Sequence, residues 1–254
     1  MFKRGRLFTV IFVAGLALMA GLWVYSTVRL FMYLDTKQKA MENLAELSLM
    51  TDVETDEDES VEESINKQLE AYAQLKEQNS DFIGWITIEG TNIDYPVMQS
   101  VDDPEFYLDH DFDKNYSVYG IPFLDSNCGL GESNNLIVYG HHMTSETMFH
   151  EISYYKDQNF WKEHPLVQFN TVDEIAEYEV VSCFCWDTEG DSFRFNQYTD
   201  LDQNRFAEYM ENVYQRQYYS TGLEAIYGDD LLTLVTCDYT YSNGRFVLVA
   251  RKVK

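Results

Sequence analysis

Cys237 follows an apolar run, Leu231–Thr236 (LLTLVT), and opens onto a polar stretch that ends at Arg245, the first residue of the next apolar run. A thiol at a strand end is presented rather than entombed. A hairpin connection would return Arg245 beside it, because antiparallel neighbours pair across a short loop. A guanidinium there lowers the cost of a thiolate and stabilises a developing oxyanion. His141 and His142 stand at the mouth of a second apolar run, 135–140 (NLIVYG). A thiol and an imidazole, far apart in sequence and each at a strand terminus, are the parts of a covalent centre in which sulfur attacks and imidazole moves the proton. Both have plainer readings. A free Cys is commonly a small core residue, and a His pair can be half of a metal site. HxxxH and CxxC spacings are absent, and Cys183 and Cys185 form only a CxC within a strand-like run, so no metal is expected. His110, His150 and His164 lie in polar or helical contexts that suggest solvated side chains.

The elements that must position these residues are mostly strands. Apolar runs bounded by turn signals occur at 84–88, 92–97, 120–124, 135–140, 166–171, 175–186, 231–236 and 245–253. Eight strand candidates predict a mainly β domain, a barrel or sandwich, and an aromatic content of 15% suits half-buried strands. One long helix interrupts them at 201–220, where Phe206, Tyr209, Met210, Val213 and Tyr214 share a face. Shorter helical pieces are expected around Thr147–Ile152 and Asp157–Glu163. Ile65, Leu69, Tyr72 and Leu75 predict a helix from about Val61 that opens the folded domain.

Charge and hydropathy organise the rest. Eighteen Lys and Arg against 43 Asp and Glu give a net charge of −25, which excludes nucleic acid as a partner for the bulk of the chain. Lys3, Arg4, Arg6 and Arg29 bracket an uncharged run of 22 residues, 7–28, long enough to span a bilayer as a helix. Three cations before the run and acidic sequence after it place the N-terminus in the cytoplasm and the remainder outside. The run exceeds the apolar stretch of a cleaved signal peptide and continues to Trp23 and Tyr25 without a convincing small-x-small site, so it reads as a retained anchor. Between Glu42 and Glu63 stand ten acids and no base, the composition of a solvated stalk. The expected organisation is an anchor at 1–34, an acidic stalk at 35–67 and a catalytic domain at 68–254. Cys128, Cys183 and Cys185 are expected to be unpaired and at least partly buried.

The motifs resemble those of a known family. Thr233–Cys237 (TLVTC) followed by Arg245 is similar to the TLxTC…R signature of sortases, and Tyr139-Gly140-His141 to their histidine motif. The segments 86–99 (ITIEGTNIDYPVMQ) and 139–149 (YGHHMTSETMF), with the long helix before the final Cys strand, resemble class B sortases in particular. The resemblance covers about residues 68–254. It implies an eight-stranded sortase β-barrel in which Cys237 is the nucleophile, His141 the general acid/base and Arg245 the oxyanion or substrate-orienting residue. His142 stays outside this assignment, because the family histidine directly follows the glycine.

The implied reaction is transpeptidation without a cofactor. Cys237 would cleave a C-terminal sorting signal of a secreted protein, NPxTx-like or LPxTG-like, after Thr, leaving a thioester. An amine from a cell-wall precursor, or a pilin Lys, would then take the acyl group. Thr236 and Asp238, with Asn92 and Tyr95 in the GTNIDYP stretch, are the expected groove residues. Asp238 would oppose a thiolate if its carboxylate pointed inward. A non-catalytic extracellular binding or scaffold domain is the alternative; an L,D-transpeptidase is not, since no SHG motif occurs.

Overall fold

The computed structural model describes residues 2–52 and 60–253. The acidic residues 53–59, in the middle of the expected stalk, lie outside the described residues. Contacts divide the chain into two units after Glu46. The first unit is most of α1 (Phe2–Thr51), a helix long and apolar enough to cross a membrane. Its apolar side chains between Ile11 and Leu34, Leu18, Trp23 and Phe31 among them, are exposed. A helix satisfies its own backbone groups, so an all-round apolar surface suits lipid.

The second unit opens with the last turn of α1. Leu47 and Thr51 are buried there, Ser48 donates to Asp94 Oδ2 at 2.6 Å, and Gln68 donates to the Thr51 carbonyl at 2.8 Å. Packing therefore begins ahead of residue 68, within sequence whose charge suggests only a spacer. Next comes α2 (Val61–Gln78), capped by Ser60, whose hydroxyl accepts from Glu63 N. Tyr72 and Leu75 form its buried face, whereas Ile65, expected on the same stripe, is exposed.

Eight strands follow: β1 (Phe82–Thr87), β2 (Asp94–Met98), β3 (Phe123–Leu124), β4 (Asn135–Tyr139), β5 (Leu166–Thr171), β6 (Glu177–Asp187), β7 (Leu231–Asp238) and β8 (Gly244–Lys252). They close into a barrel in the order β1-β2-β3-β4-β7-β8-β6-β5. The β2–β3 and β4–β7 pairs are parallel and the other neighbours antiparallel. Each predicted strand has its counterpart. The third is shorter than its apolar run because Gly120 turns the chain with φ +55°, pressed against the Tyr107 and Leu108 carbonyls. The seventh is longer, because hairpin pairing with β8 continues through Asp238↔Gly244.

Between the strands lie, among other helical turns, a 3-10 helix at Phe149–Lys156, α3 (Gln158–Glu163) and α4 (Gln203–Arg216). The Asp202 carboxylate caps α4 by accepting from Asn204 N and Arg205 N. Phe206, Tyr209, Met210 and Val213 form its buried face. Fully burying each such side chain contributes about 1.5–3 kcal/mol. The Tyr209 hydroxyl meets Thr233 Oγ1 at 2.9 Å, and Thr233 donates to Asn135 Oδ1 at 2.8 Å, which ties α4 to β7 and β4. These are the two strands whose ends carry Cys237 and, two residues further on, His141.

Candidate active site

β4 and β7 run parallel with Tyr139 opposite Val235. The pairing continues past the end of β4: Gly140 N donates to the Val235 carbonyl at 3.0 Å, and Thr236 Oγ1 donates to the Gly140 carbonyl at 2.7 Å. Two residues beyond the Tyr139–Val235 pair, His141 and Cys237 therefore stand at the same level. On the other side of β7, Cys237 is paired directly with Arg245 of β8. Directly opposed residues on neighbouring strands share a face, so thiol, imidazole and guanidinium come from three adjacent strands onto one cleft. That cleft has a volume of about 480 Å³, and its walls include Leu108, Asp125, His141, Asn196, Cys237 and Arg245.

Each side chain is held by its surroundings. His141 Nε2 lies 2.7 Å from the Leu108 carbonyl; a carbonyl only accepts, so Nε2 carries a proton in that bond. Phe149 N donates to the His141 carbonyl at 2.9 Å, and the Phe149 ring packs on Gly140, where an added Cβ would come within 2.6 Å of it. Glycine before His141 is thus a packing requirement. Cys237 and Arg245 are half-buried, so both side chains are partly open to the cleft.

Of the seven residues expected in the site, His141, Thr236, Cys237 and Arg245 line this cleft, and the other three do not. Tyr95 is buried, its pKa pushed up to about 12 by burial, and its hydroxyl accepts from Met148 N at 3.1 Å. Asn92 donates through its backbone and side chain to the Glu151 carboxylate at 2.6 and 2.8 Å. Both support the segment after His141 from beneath. Asp238 follows Cys237 and so points to the opposite face of the strand. Its side chain is 3% exposed and ion-paired to Lys156, and Thr240 N donates to Oδ1 at 2.8 Å. Burial alone would push this carboxyl up; Lys156 and Thr240 outweigh it and hold the pKa at about 2.

His142 also turns away from the cleft. It bridges to Met148, and its ring lies 4.3 Å from that of His150, with burial and then His150 holding its pKa down. His150 is consequently not the solvated residue its polar context suggests. His164 and His110 bond main-chain carbonyls, of Glu89 at 2.7 Å and Phe106 at 2.8 Å. All four cysteines are free. Burial pushes Cys128 and Cys183 up to about 12, and Cys185 accepts from the Tyr218 hydroxyl at 3.1 Å.

Reading residue types alone misses Leu108, Asp125 and Lys156. Leu108 contributes a backbone carbonyl, which no side chain announces. Asp125 accepts from the Tyr139 hydroxyl at 2.9 Å under the cleft, and Lys156 reaches Asp238 from 82 residues away.

Comparison with known proteins gives a consistent result. The model of the Sortase domain family matches residues 86–253. Sortase B of Listeria monocytogenes is 32% identical over 186 residues, 70% of this chain and 72% of that protein. Sortase B of Staphylococcus aureus is 29% identical over 196 residues, 76% of this chain and 78% of that protein. A mutant form of Clostridium perfringens sortase B superimposes with a TM-score of 0.74 at 28% identity, covering 84% of this chain and 97% of that one.

Proposed function

The chain belongs to the sortase family, cysteine transpeptidases, on its class B branch, and from that premise we propose a membrane-tethered enzyme that cleaves sorting signals through Cys237 and transfers the acyl group to an amine. The observation that carries this reading is the convergence of His141, Cys237 and Arg245 on one cleft from three adjacent strands.

The geometry supports the following steps. Cys237 Sγ attacks the carbonyl carbon of the signal's Thr, and the carbonyl oxygen takes up negative charge. Arg245 donates to that oxygen; as a permanent cation it favours both the thiolate and the oxyanion. The C–N bond breaks as imidazolium His141 gives its proton to the leaving amine, and a thioester remains. An incoming amine then attacks the thioester, loses its proton to His141 and expels the Cys237 thiolate. The amide bond is exchanged, not hydrolysed, so no external energy source is needed. Thr236 and Asn196, on the cleft wall, contact the peptide in this reading, and Tyr95 and Asn92 position the His141 segment. The helix α1 anchors the chain, with the cations at Lys3, Arg4 and Arg6 on the cytoplasmic side and the barrel outside.

Intact-protein mass spectrometry with a panel of NPxTx and LPxTG peptides tests the reading. The expected result is a mass increase equal to the peptide's acyl portion, lost in Cys237→Ala. With a cell-wall-type oligoglycine or a Lys-bearing pilin peptide added, the adduct should discharge onto the amine that the enzyme uses. A thiol that alkylates readily yet takes no acyl group from any peptide would overturn the assignment of these signals.

A further inference from the structure

A buried carboxylate beside a nucleophilic thiol is a problem that this structure solves with one cation. Asp238 is the residue after Cys237, and its side chain is 3% exposed, so its charge is poorly screened by water. Unopposed, it would raise the free energy of a thiolate at Cys237. The opposing charge is the Lys156 ammonium, ion-paired to Asp238 Oδ2 and lying 5.8 Å from the centre of the Phe246 ring. Lys156 is the last residue of the Phe149–Lys156 3-10 helix, whose first residue holds the His141 turn through the Phe149 N–H and ring. One short helix thus grips both halves of the catalytic pair: the histidine segment at its start and the cysteine strand at its end. Next to Lys156, the Tyr155 carbonyl ties the helix to β6 by accepting from Cys183 Sγ at 3.1 Å and to the segment after α4 by accepting from the Tyr219 hydroxyl at 2.7 Å.

We propose that Lys156 is a positioning residue for the nucleophile: it neutralises Asp238 on the rear face of β7, so that the field at Cys237 is set by His141 and Arg245 on the cleft face. The other titratable groups near Asp238 are Cys185 of β6, Tyr218 beyond α4 and His142 beyond β4. Cys185 and Tyr218 are neutral near pH 7 with pKa values raised by burial, and burial disfavours the charged form of His142, so Lys156 is the cation beside this carboxylate. Glu105 and Asp125 lie on the cleft side.

The proposal rests on Cys237 being the reacting thiol, and its test does not require turnover of a sorting signal. In the full-length chain in detergent, the rate of iodoacetamide alkylation at Cys237, localised by peptide mapping, is followed from pH 5 to 10. In Lys156→Met the midpoint of this profile should move up by about one pH unit, which at neutral pH is roughly a tenfold slower alkylation. Lys156→Arg, and the double variant Lys156→Met with Asp238→Asn, should return the profile to that of the unmodified chain, because one restores the cation and the other removes the charge it opposes. A Lys156→Met profile that superimposes on the unmodified one in a folded protein overturns the proposal. Should Lys156→Met fail to fold, Asp238→Asn alone decides: removing the carboxylate while the ammonium remains must shift the midpoint downward, and an unmoved midpoint overturns the proposal equally. A merely structural ion pair would lower the melting temperature in these variants and leave the thiol profile in place.

Discussion

Cys237 and Arg245 face each other across the β7–β8 hairpin, and the chemistry asked of the guanidinium depends on its planar fork as well as its charge. Arg245→Ala should lower kcat by about 10²–10³-fold, the usual cost of losing one oxyanion donor. Arg245→Lys should recover only part of it, since an ammonium supplies the charge without the paired donors. Single-turnover acylation with the preferred peptide, read as kcat and KM separately, distinguishes transition-state stabilisation from peptide binding. His141 differs in kind, because in the proposed mechanism its proton moves twice. The Leu108 carbonyl, 2.7 Å from Nε2, orients the ring and leaves no side-chain signature in the sequence.

At the scale of elements, the Phe149–Lys156 helix and the Gly140 turn behave as one joint. An added Cβ at Gly140 would lie 2.6 Å from the Phe149 ring, with no positive φ to relieve, so the conflict is purely steric. Gly140→Ala should therefore destabilise the protein by about 1–3 kcal/mol and depress acylation through the displaced His141. Adding Phe149→Leu, which thins the ring to a branched chain, should restore part of the activity and make the two changes non-additive. Thermal melts and acylation rates on the two single variants and the double variant check this; additive losses would mean that the two residues do not act through one contact. The helix α4 is tied to β7 by the Tyr209 hydroxyl, fully buried beside Thr233. Tyr209→Phe should cost about 1–3 kcal/mol, because it leaves a buried hydroxyl short of a partner, measurable as a lower urea midpoint with an unchanged slope.

For the whole molecule, acid should act in two stages. His142 has a folded-state pKa below its ordinary value because burial, and then His150, disfavour its cation. The unfolded chain consequently binds more protons as pH falls through the ordinary His range, and stability declines there. Asp238, held at about 2 by Lys156 and Thr240 against its burial, contributes stability that is complete above the ordinary Asp pKa and lost as pH falls from about 4 to about 2. Urea midpoints against pH should show both declines, and Asp238→Asn should shrink the lower one, which Asp81 and Asp191, also held below the ordinary Asp range, continue to feed. Topology is a separate expectation: in intact cells, added protease should reach the barrel and spare an epitope placed ahead of Lys3. Digestion of that epitope while the barrel is protected would reverse the orientation argued from the flanking charges.

What could be read directly from the residues was local. Alternation and turn signals marked every barrel strand, and the short loop between β7 and β8 made the meeting of Cys237 with Arg245 legible, because a hairpin sets its own register. Spacing alone could not bring His141 to Cys237. That meeting depends on the parallel β4–β7 pairing between segments some ninety residues apart, and only the motif resemblance anticipated it. The positions of Asn92 and Tyr95 were decided by tertiary packing, in which the GTNIDYP stretch supports the histidine segment; strand alternation sends Asp238 to the face opposite Cys237, and only packing buries it there. Lys156 carried no signal at all. Its role exists only where a helix from one part of the chain ends against a buried carboxylate from another, and long-range electrostatic pairing of that kind is a property of the fold, not of any window of sequence.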